Sequence, residues 1–212
     1  MHHFGQKSFW MFIGFLLLFF IFSLGYTIVI LLQGNIHVPV FEKEPNETLA
    51  TSQSFFLRNV RLGLYGKLDS SKDVDVFHLE KGNKRAVSFS LLIPENDFAS
   101  LRSLQMAIAG KGLGRPEGIP LKEIPSDYGA LLFEENRVPK TIYEPNSFSS
   151  WKHVGTFSFE FPDSGDYYLL ISDDFHEKGN YLLVQEGEDP ADFYAMIKLV
   201  LGGWRILIPN LP

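Results

Sequence analysis

The pattern of apolar and polar positions divides the chain into three zones. From Phe9 to Leu32 no residue is charged, and the run FWMFIGFLLLFFIFSLGYTIVILL contains few polar side chains. A helix needs roughly 20 such residues to cross the hydrocarbon core of a bilayer, so a transmembrane helix is predicted over residues 9–32. A cleaved secretory signal is the competing expectation, because Ser23, Leu24 and Gly25 place small residues ahead of a cut. The apolar core of a signal is usually only about 7 to 15 residues long. Here it continues through Tyr26 to Leu32, which favours an uncleaved anchor.

After Glu44 the hydrophobic period becomes two, the signature of strands buried on one face. Val87, Phe89, Leu91 and Ile93 alternate with Ser88 and Ser90, and Phe157, Phe159 and Phe161 alternate with Ser158 and Glu160. Further strands are expected at Val60–Leu64, Val74–Leu79, Leu104–Ala109, Ala130–Phe133, Tyr167–Ile171 and Tyr181–Val184. About eight short strands without long amphipathic helices predict an all-β antiparallel sandwich. Between Gly110 and Pro145 the chain is rich in Gly and Pro, and long loops around one strand are expected there. In Asp163-Ser164-Gly165-Asp166-Tyr167, the Asp-x-Gly-x-Tyr form predicts a tyrosine corner, with the Tyr167 hydroxyl bonding backbone a few residues upstream.

The third zone begins at Asp189-Pro190, a capping side chain followed by a proline suited to the first helical position. A short amphipathic helix is expected from Pro190 to about Ile208. Lys198 and Arg205 fall on its narrow side, and Phe193, Met196, Ile197, Val200, Leu201, Trp204 and Leu207 on the broad remainder. The expected membrane or partner contacts are Phe193, Ile197, Lys198, Leu201, Trp204 and Arg205. Three placements stay open: in the membrane surface, against a partner or the sandwich, or as a second span. The last would insert two cations at roughly 2.5 to 3.5 kcal/mol each.

The expected organisation is an N-terminal cytoplasmic tail (1–8), a transmembrane helix (9–32), a stalk (33–43), a β-sandwich ectodomain (44–188) and the C-terminal amphipathic helix (189–212). Lys7 and the terminal amine precede the apolar run, whereas Gln33 to Phe41 carries no Lys or Arg. That asymmetry predicts a single-pass protein with its N-terminus in the cytoplasm and its bulk outside.

Charge and composition narrow the chemistry. The formal net charge is −6 and Lys7 is the only charged side chain before Glu42. The acidity therefore lies on the expected ectodomain and disfavours a nucleic-acid partner. With no cysteine, disulfides, thiolate metal sites and cysteine nucleophiles are all excluded. No Gly-x-Ser-x-Gly, His-Glu-x-x-His or Walker pattern occurs. The run from Gly110 to Arg115 has the glycines of a phosphate-binding loop, but Pro116 and Pro120 oppose the helix such a loop requires. No catalytic residue is assigned.

Five short stretches carry a family resemblance. Glu44-Pro45-Asn46-Glu47-Thr48, then Gly66-Lys67-Leu68, then Asp73-Val74-Asp75-Val76-Phe77-His78-Leu79 resemble the opening of bacterial pre-peptidase C-terminal domains. Gly165 to Ile171 and Gly179-Asn180-Tyr181 are similar to the closing pattern of that family. The resemblance spans about residues 44–186 and implies a jelly-roll-like sandwich, an accessory module that in some members binds calcium or a polymer. The chain departs from the pattern in having no catalytic domain beside the module and a longer, proline-rich stretch from Gly110 to Ser150.

Asp73 and Asp75 are two apart on an expected strand, so their carboxylates share one face, and calcium takes 6 to 8 oxygen ligands. Glu44, Asn46 and Glu47 would complete a calcium site with Asp73 and Asp75 if the preceding segment folds back, as the resemblance allows. The alternative is a solvated strand face. A second set, Asp173, Asp174, His176 and Glu177, falls in a hairpin turn, where dense charge is ordinarily just solvated. The functional expectation is a non-enzymatic, membrane-anchored accessory or binding subunit, with calcium as the one candidate cofactor. Its partners would be the lipid bilayer and a membrane protein or envelope polymer. The alternative is a metal-dependent extracytoplasmic hydrolase using Asp173 to Glu177.

Overall fold

The computed structural model describes residues 3–33, 37–70, 73–101, 103–114, 125, 127–133, 139–144, 146–162, 165–173 and 177–187, with the side chains of the N-terminal helix described over 9–25. Helix α1 (His3–Gln33) is followed, among the described residues, by strands β1 (Val38–Phe41), β2 (Gln53–Phe56), β3 (Leu62–Leu68), β4 (Val74–Glu80), β5 (Ala86–Pro94), β6 (Leu104–Lys111), β7 (Tyr128–Phe133), β8 (Lys140–Glu144), β9 (Ser149–Glu160), β10 (Tyr167–Asp173) and β11 (Gly179–Gln185). They form a six-stranded sheet in the order β1-β3-β11-β5-β9-β8 and a five-stranded sheet in the order β2-β4-β10-β6-β7.

Each strand expected from alternation is present, because alternation is what a strand between a core and an outer face requires. In β10 the side chains of Tyr167, Leu169 and Ile171 are buried while Tyr168 and Leu170 between them are half-exposed. Phe55, Phe77, Phe89, Phe157, Leu169 and Leu183 meet between the sheets in one cluster. Burying a side chain of this size contributes about 1.5 to 3 kcal/mol, and truncating a buried Phe such as Phe77 to Ala costs about 3 to 5 kcal/mol. Leu92 lies between core-facing Leu91 and Ile93 and so points to the outer face; opposite it a register shift leaves Val154 of β9 without a partner in β5 and brings Trp151 to the same face. There Leu92 joins Trp151, Leu182 and Val184 in a second, smaller cluster.

Several expectations are corrected. Residues 38–41 of the expected stalk are strand β1, hydrogen-bonded to β3 from Val38↔Leu62 to Phe41↔Tyr65. The region of expected loops between Gly110 and Pro145 holds two strands, β7 and β8, rather than one. The sheets are not purely antiparallel: β1 runs parallel to β3, and β2 parallel to β4. The chain passes from one sheet to the other between β1 and β2 and returns between β2 and β3, and two reversals restore the direction. Tyr167 opens β10 opposite Gly110 of β6, its ring lies where a side chain at Gly110 would stand, and its hydroxyl donates across the sheet to Lys111 O (3.4 Å); Asp163 and Ser164 of the expected corner lie outside the described residues.

Helix α1 forms over the apolar run, and the large apolar side chains between Phe9 and Leu24 are exposed. Among the described residues no helix is long and apolar enough to cross a membrane, with the side chains of α1 described only to Gly25. The helical conformation expected at residues 9–32 is thereby established, and the spanning role is not. The expected C-terminal helix (189–212), with Phe193, Ile197, Lys198, Leu201, Trp204 and Arg205, lies outside the described residues.

Candidate functional site

After β1 the chain folds back across the start of β4 and brings a set of acidic side chains together. Glu42 is placed by its own backbone, whose N–H donates to Tyr65 O (3.0 Å). Asn46 is held against β4 because Val76 N donates to Asn46 O (3.0 Å). Asp75 points between the sheets, two residues before Phe77 and four before Leu79, and is fully buried. The solvated strand face left open as the alternative for Asp75 is therefore excluded.

Carboxylate oxygens of Glu42, Glu44 and Asp75 lie within 4.8 Å of one another. Lys67 N donates to Glu42 Oε2 (2.6 Å) and Asn46 Nδ2 to Glu42 Oε1 (2.7 Å). Asn46 N donates to Glu44 Oε2 (3.2 Å), and the Tyr181 hydroxyl donates to Asp75 Oδ2 (2.5 Å). Tyr181 reaches this position because residue 66 on the neighbouring strand is glycine. A Cβ there would stand 2.2 Å from the tyrosine Cζ.

Burial, and then the charge of Glu42, pushes the Asp75 carboxyl up to about 10. Burial also raises Glu42, which shares a hydrogen bond with Asp75, and Glu44 is raised by desolvation and by the Glu42 charge. Tyr181 is pushed well above its ordinary value, chiefly by burial. A cluster of this kind lacks positive charge: three acids converge and each raises the cost of ionising the next.

Two further oxygens complete the picture. Asn46 Oδ1 and Asp75 Oδ1 are buried and meet no hydrogen-bond donor. A buried acceptor left without a donor costs about 1 to 3 kcal/mol, and a hard cation relieves it as well as the repulsion among the carboxylates. The donor set is all oxygen, which suits calcium and gives no preference to softer metals. The residues present thus fit a divalent cation at Glu42, Glu44 and Asp75, with Asn46 beside them.

Of the five residues expected to hold calcium, Glu44, Asn46 and Asp75 are brought together. Asp73 is buried beside them, but its Oδ2 accepts from Asp69 N (2.5 Å) and closes the 69–73 turn. Glu47 is exposed and outside the carboxylate cluster. Sequence reasoning missed Glu42 and Tyr181. Glu42, Glu44 and Asn46 are spaced by two, a signal that was available.

A second buried polar cluster ties the start of β1 to the β8–β9 loop. Asn146 Nδ2 donates to His37 Nε2 (2.9 Å) and to His37 O (3.3 Å), and the Tyr65 hydroxyl lies 2.9 Å from the same ring nitrogen. Glu144 accepts from Asn146 N (2.8 Å) and Ser147 N (2.6 Å). His37, Glu144 and Asn146 are all buried, and beside them a concavity of about 120 Å³ opens over Leu92, Leu182 and Val184.

The other acidic set does not form a site among the described residues. Asp173 is buried, accepting from Ser103 Oγ (3.1 Å) and Glu177 N (3.3 Å), which holds the turn. Glu177 is exposed, and Asp174 and His176 lie outside the described residues.

No protein-family model matches the chain, and no curated protein matches it. Among solved structures it is similar to the pre-peptidase C-terminal domain of collagenase from Bacillus anthracis, with 13% identity, a TM-score of 0.34, and coverage of 68% of this chain and 99% of that one. It is also similar to the Yersinia pseudotuberculosis-derived mitogen, with 11% identity, a TM-score of 0.33, and coverage of 64% and 92%. Neither likeness assigns an activity or a ligand.

Proposed function

We propose that the chain is a membrane-tethered, non-enzymatic β-sandwich that serves as an accessory or binding subunit on the outer side of a membrane or cell envelope. One observation carries this reading: α1 is apolar on every side, and its large side chains from Phe9 to Leu24 are exposed. A helix hydrophobic all round requires an apolar surrounding. The full helix has 31 residues, about 46 Å at 1.5 Å per residue, and is uncharged from Phe9 to Leu32. The sandwich is closed by its own two sheets, so lipid is the surrounding that suits the helix. Lys7 on the N-terminal flank favours a cytoplasmic N-terminus.

The acidic cluster adds a calcium-dependent element. A cation there would bind Glu42, Glu44 and Asn46 to Asp75 of β4, fastening the connection between β1 and β2 to the sandwich. Its role in this reading is to hold that connection in place, and no reaction step is assigned to it.

The test is membrane fractionation of cells making the full chain, with an alkaline carbonate wash and intact-mass measurement. The expected result is full-length protein retained in the washed membranes and a sandwich digested by protease added from the outer side. Recovery in the soluble fraction, or a mature chain that starts at Tyr26, would overturn the tether.

A further inference from the structure

We propose that the corner of the sandwich from which the chain leads back to α1 docks on anionic lipid headgroups through loops 57–61 and 81–85, an inference that rests on reading α1 as a membrane helix. Loop 57–61 contributes Arg58 and Arg61, loop 81–85 contributes Lys81, Lys84 and Arg85, and neither contains an acidic residue. The loops adjoin, because Leu57 N donates to Glu80 O (3.0 Å) at the end of β4. Loop 81–85 is a tight turn, with Lys84 N donating to Lys81 O (2.9 Å) and Gly82 at φ 53°. Loop 57–61 is held from below by the buried side chain of Gln185, which accepts from Arg58 N (3.3 Å) and donates to Arg58 O (2.5 Å). Both are thus fixed platforms for cations, not loose tails.

Their position relative to α1 follows from the topology. Val38 N donates to Arg61 O (2.9 Å), so the first strand begins beside the basic loops. From Gln33, the last residue of α1, to His37 is four residue steps, a reach of at most about 14 Å. A sandwich tethered so closely presents this corner to the headgroup layer. Exposed Phe56, at the end of β2, stands two residues before Arg58 in sequence and adds an apolar side chain near the same corner.

Acids share this corner: Glu186 lies 3.5 Å from Arg61 Nε, Glu80 accepts from Ser54 Oγ (2.9 Å), Asp166 is 3.3 Å from His78, and exposed Glu160 stands opposite Ala86, beside Arg85. Lys81 Nζ sits 4.8 and 4.7 Å over the Phe161 and Tyr167 rings, so Arg58, Lys84 and Arg85 are the cations these loops offer to a headgroup. At the opposite end of the sandwich Glu42, Glu44, Asp69, Asp75, Glu95 and Asp97 gather around the turns, with Lys67 paired to Asp69 and Lys152 to Glu95. The basic loops lie at the end from which the chain leads back to α1. Basic segments close to a membrane are attracted by anionic lipid within about one Debye length.

The chain has no cysteine, so one label reports one place. Full-length protein carrying Asn83→Cys in the basic turn, or Asn96→Cys at the opposite end, is labelled with an environment-sensitive fluorophore. Each is reconstituted in vesicles of phosphatidylcholine alone or mixed with phosphatidylglycerol, with a headgroup-attached quencher in both. The expected result is roughly twofold stronger quenching at position 83 in the anionic vesicles, relieved by high salt, and no such difference at position 96. Arg58→Glu with Arg85→Glu, both at exposed positions, should abolish the difference while the melting curve is preserved. Embedded protein whose label at 83 responds equally in both lipids refutes the docking and leaves the tether standing. Protein that alkali strips from the vesicles refutes the tether and the docking with it.

Discussion

Two buried polar clusters fasten the chain around β1 to the sandwich, and they are built on opposite principles. In the cluster of His37, Tyr65, Glu144 and Asn146, donors meet acceptors: both Glu144 oxygens receive backbone N–H groups, and the Asn146 amide reaches the His37 ring and carbonyl. In the cluster of Glu42, Glu44, Asn46 and Asp75, acceptors outnumber donors, and two buried oxygens meet none. The first is held by donor–acceptor pairs around a single carboxylate. The second gathers three carboxylates within 4.8 Å of one another, and that convergence marks it as a site.

The comparison can be broken most forcefully at the donor-rich cluster. Glu144→Ala strands two backbone donors in a buried place and should cost about 3 kcal/mol, since each bond to a charged group contributes roughly 1.5 to 3 kcal/mol. Urea unfolding of the detergent-solubilised protein measures it, and the loss should be the same with and without calcium. A calcium-dependent loss would mean that the two clusters are not independent.

The donor-poor cluster should respond to the ion itself. Calcium at 100 times its dissociation constant stabilises a folded protein by about 2.7 kcal/mol, or about 5 to 10 °C in melting temperature at this chain length. Asp75→Asn should remove that response while leaving the metal-free protein at least as stable near neutral pH, because an amide needs no proton taken up on folding, as the Asp75 carboxyl does. An unchanged calcium response in this variant would rule out Asp75 as a ligand.

A further effect is expected with pH. The Asp75 carboxyl is raised from 3.8 to about 10 in the folded protein, so between those values the folded chain holds a proton that the unfolded chain releases. Stability from this group is complete below pH 3.8 and declines as pH rises toward 10. Metal-free protein should therefore lose stability between pH 5 and 8, and Asp75→Asn should flatten that slope. A wild-type slope matched by the variant would place the titration elsewhere. The smallest change is at Glu44, which is exposed. Glu44→Gln should alter folding by no more than about 0.5 kcal/mol yet raise the calcium concentration needed for half-maximal stabilisation.

Much of the sandwich was legible because alternation is a local property. Eight strands could be placed from runs such as Val87-Ser88-Phe89-Ser90-Leu91, in which each residue declares its face. β1, β2 and β8 escaped notice for the matching reason: they are short edge strands whose side chains lack a clean buried–exposed alternation. Three of the four residues of the acidic cluster were legible as well, since Glu44, Asn46 and Asp75 were singled out. Asp73 and Glu47 were assigned with them because sequence proximity does not say that a backbone N–H already occupies an Asp73 oxygen or that Glu47 turns outward.

By itself the sequence determined an uncharged apolar helix at the N-terminus, a β-domain after it, the face of each alternating strand, and the absence of cysteine chemistry. Only the tertiary structure decided that β1 pairs with β3, that Glu42 joins Glu44 and Asn46 above Asp75, and that Tyr181 reaches them over Gly66. It also decided that Arg58 and Arg85, 27 positions apart in sequence, belong to adjoining loops at the corner from which α1 departs. The physical reason is the range of the forces involved. Helix formation and strand alternation are set by neighbours along the chain, whereas a cluster of like charges forms only where distant strand pairings overcome the repulsion between them.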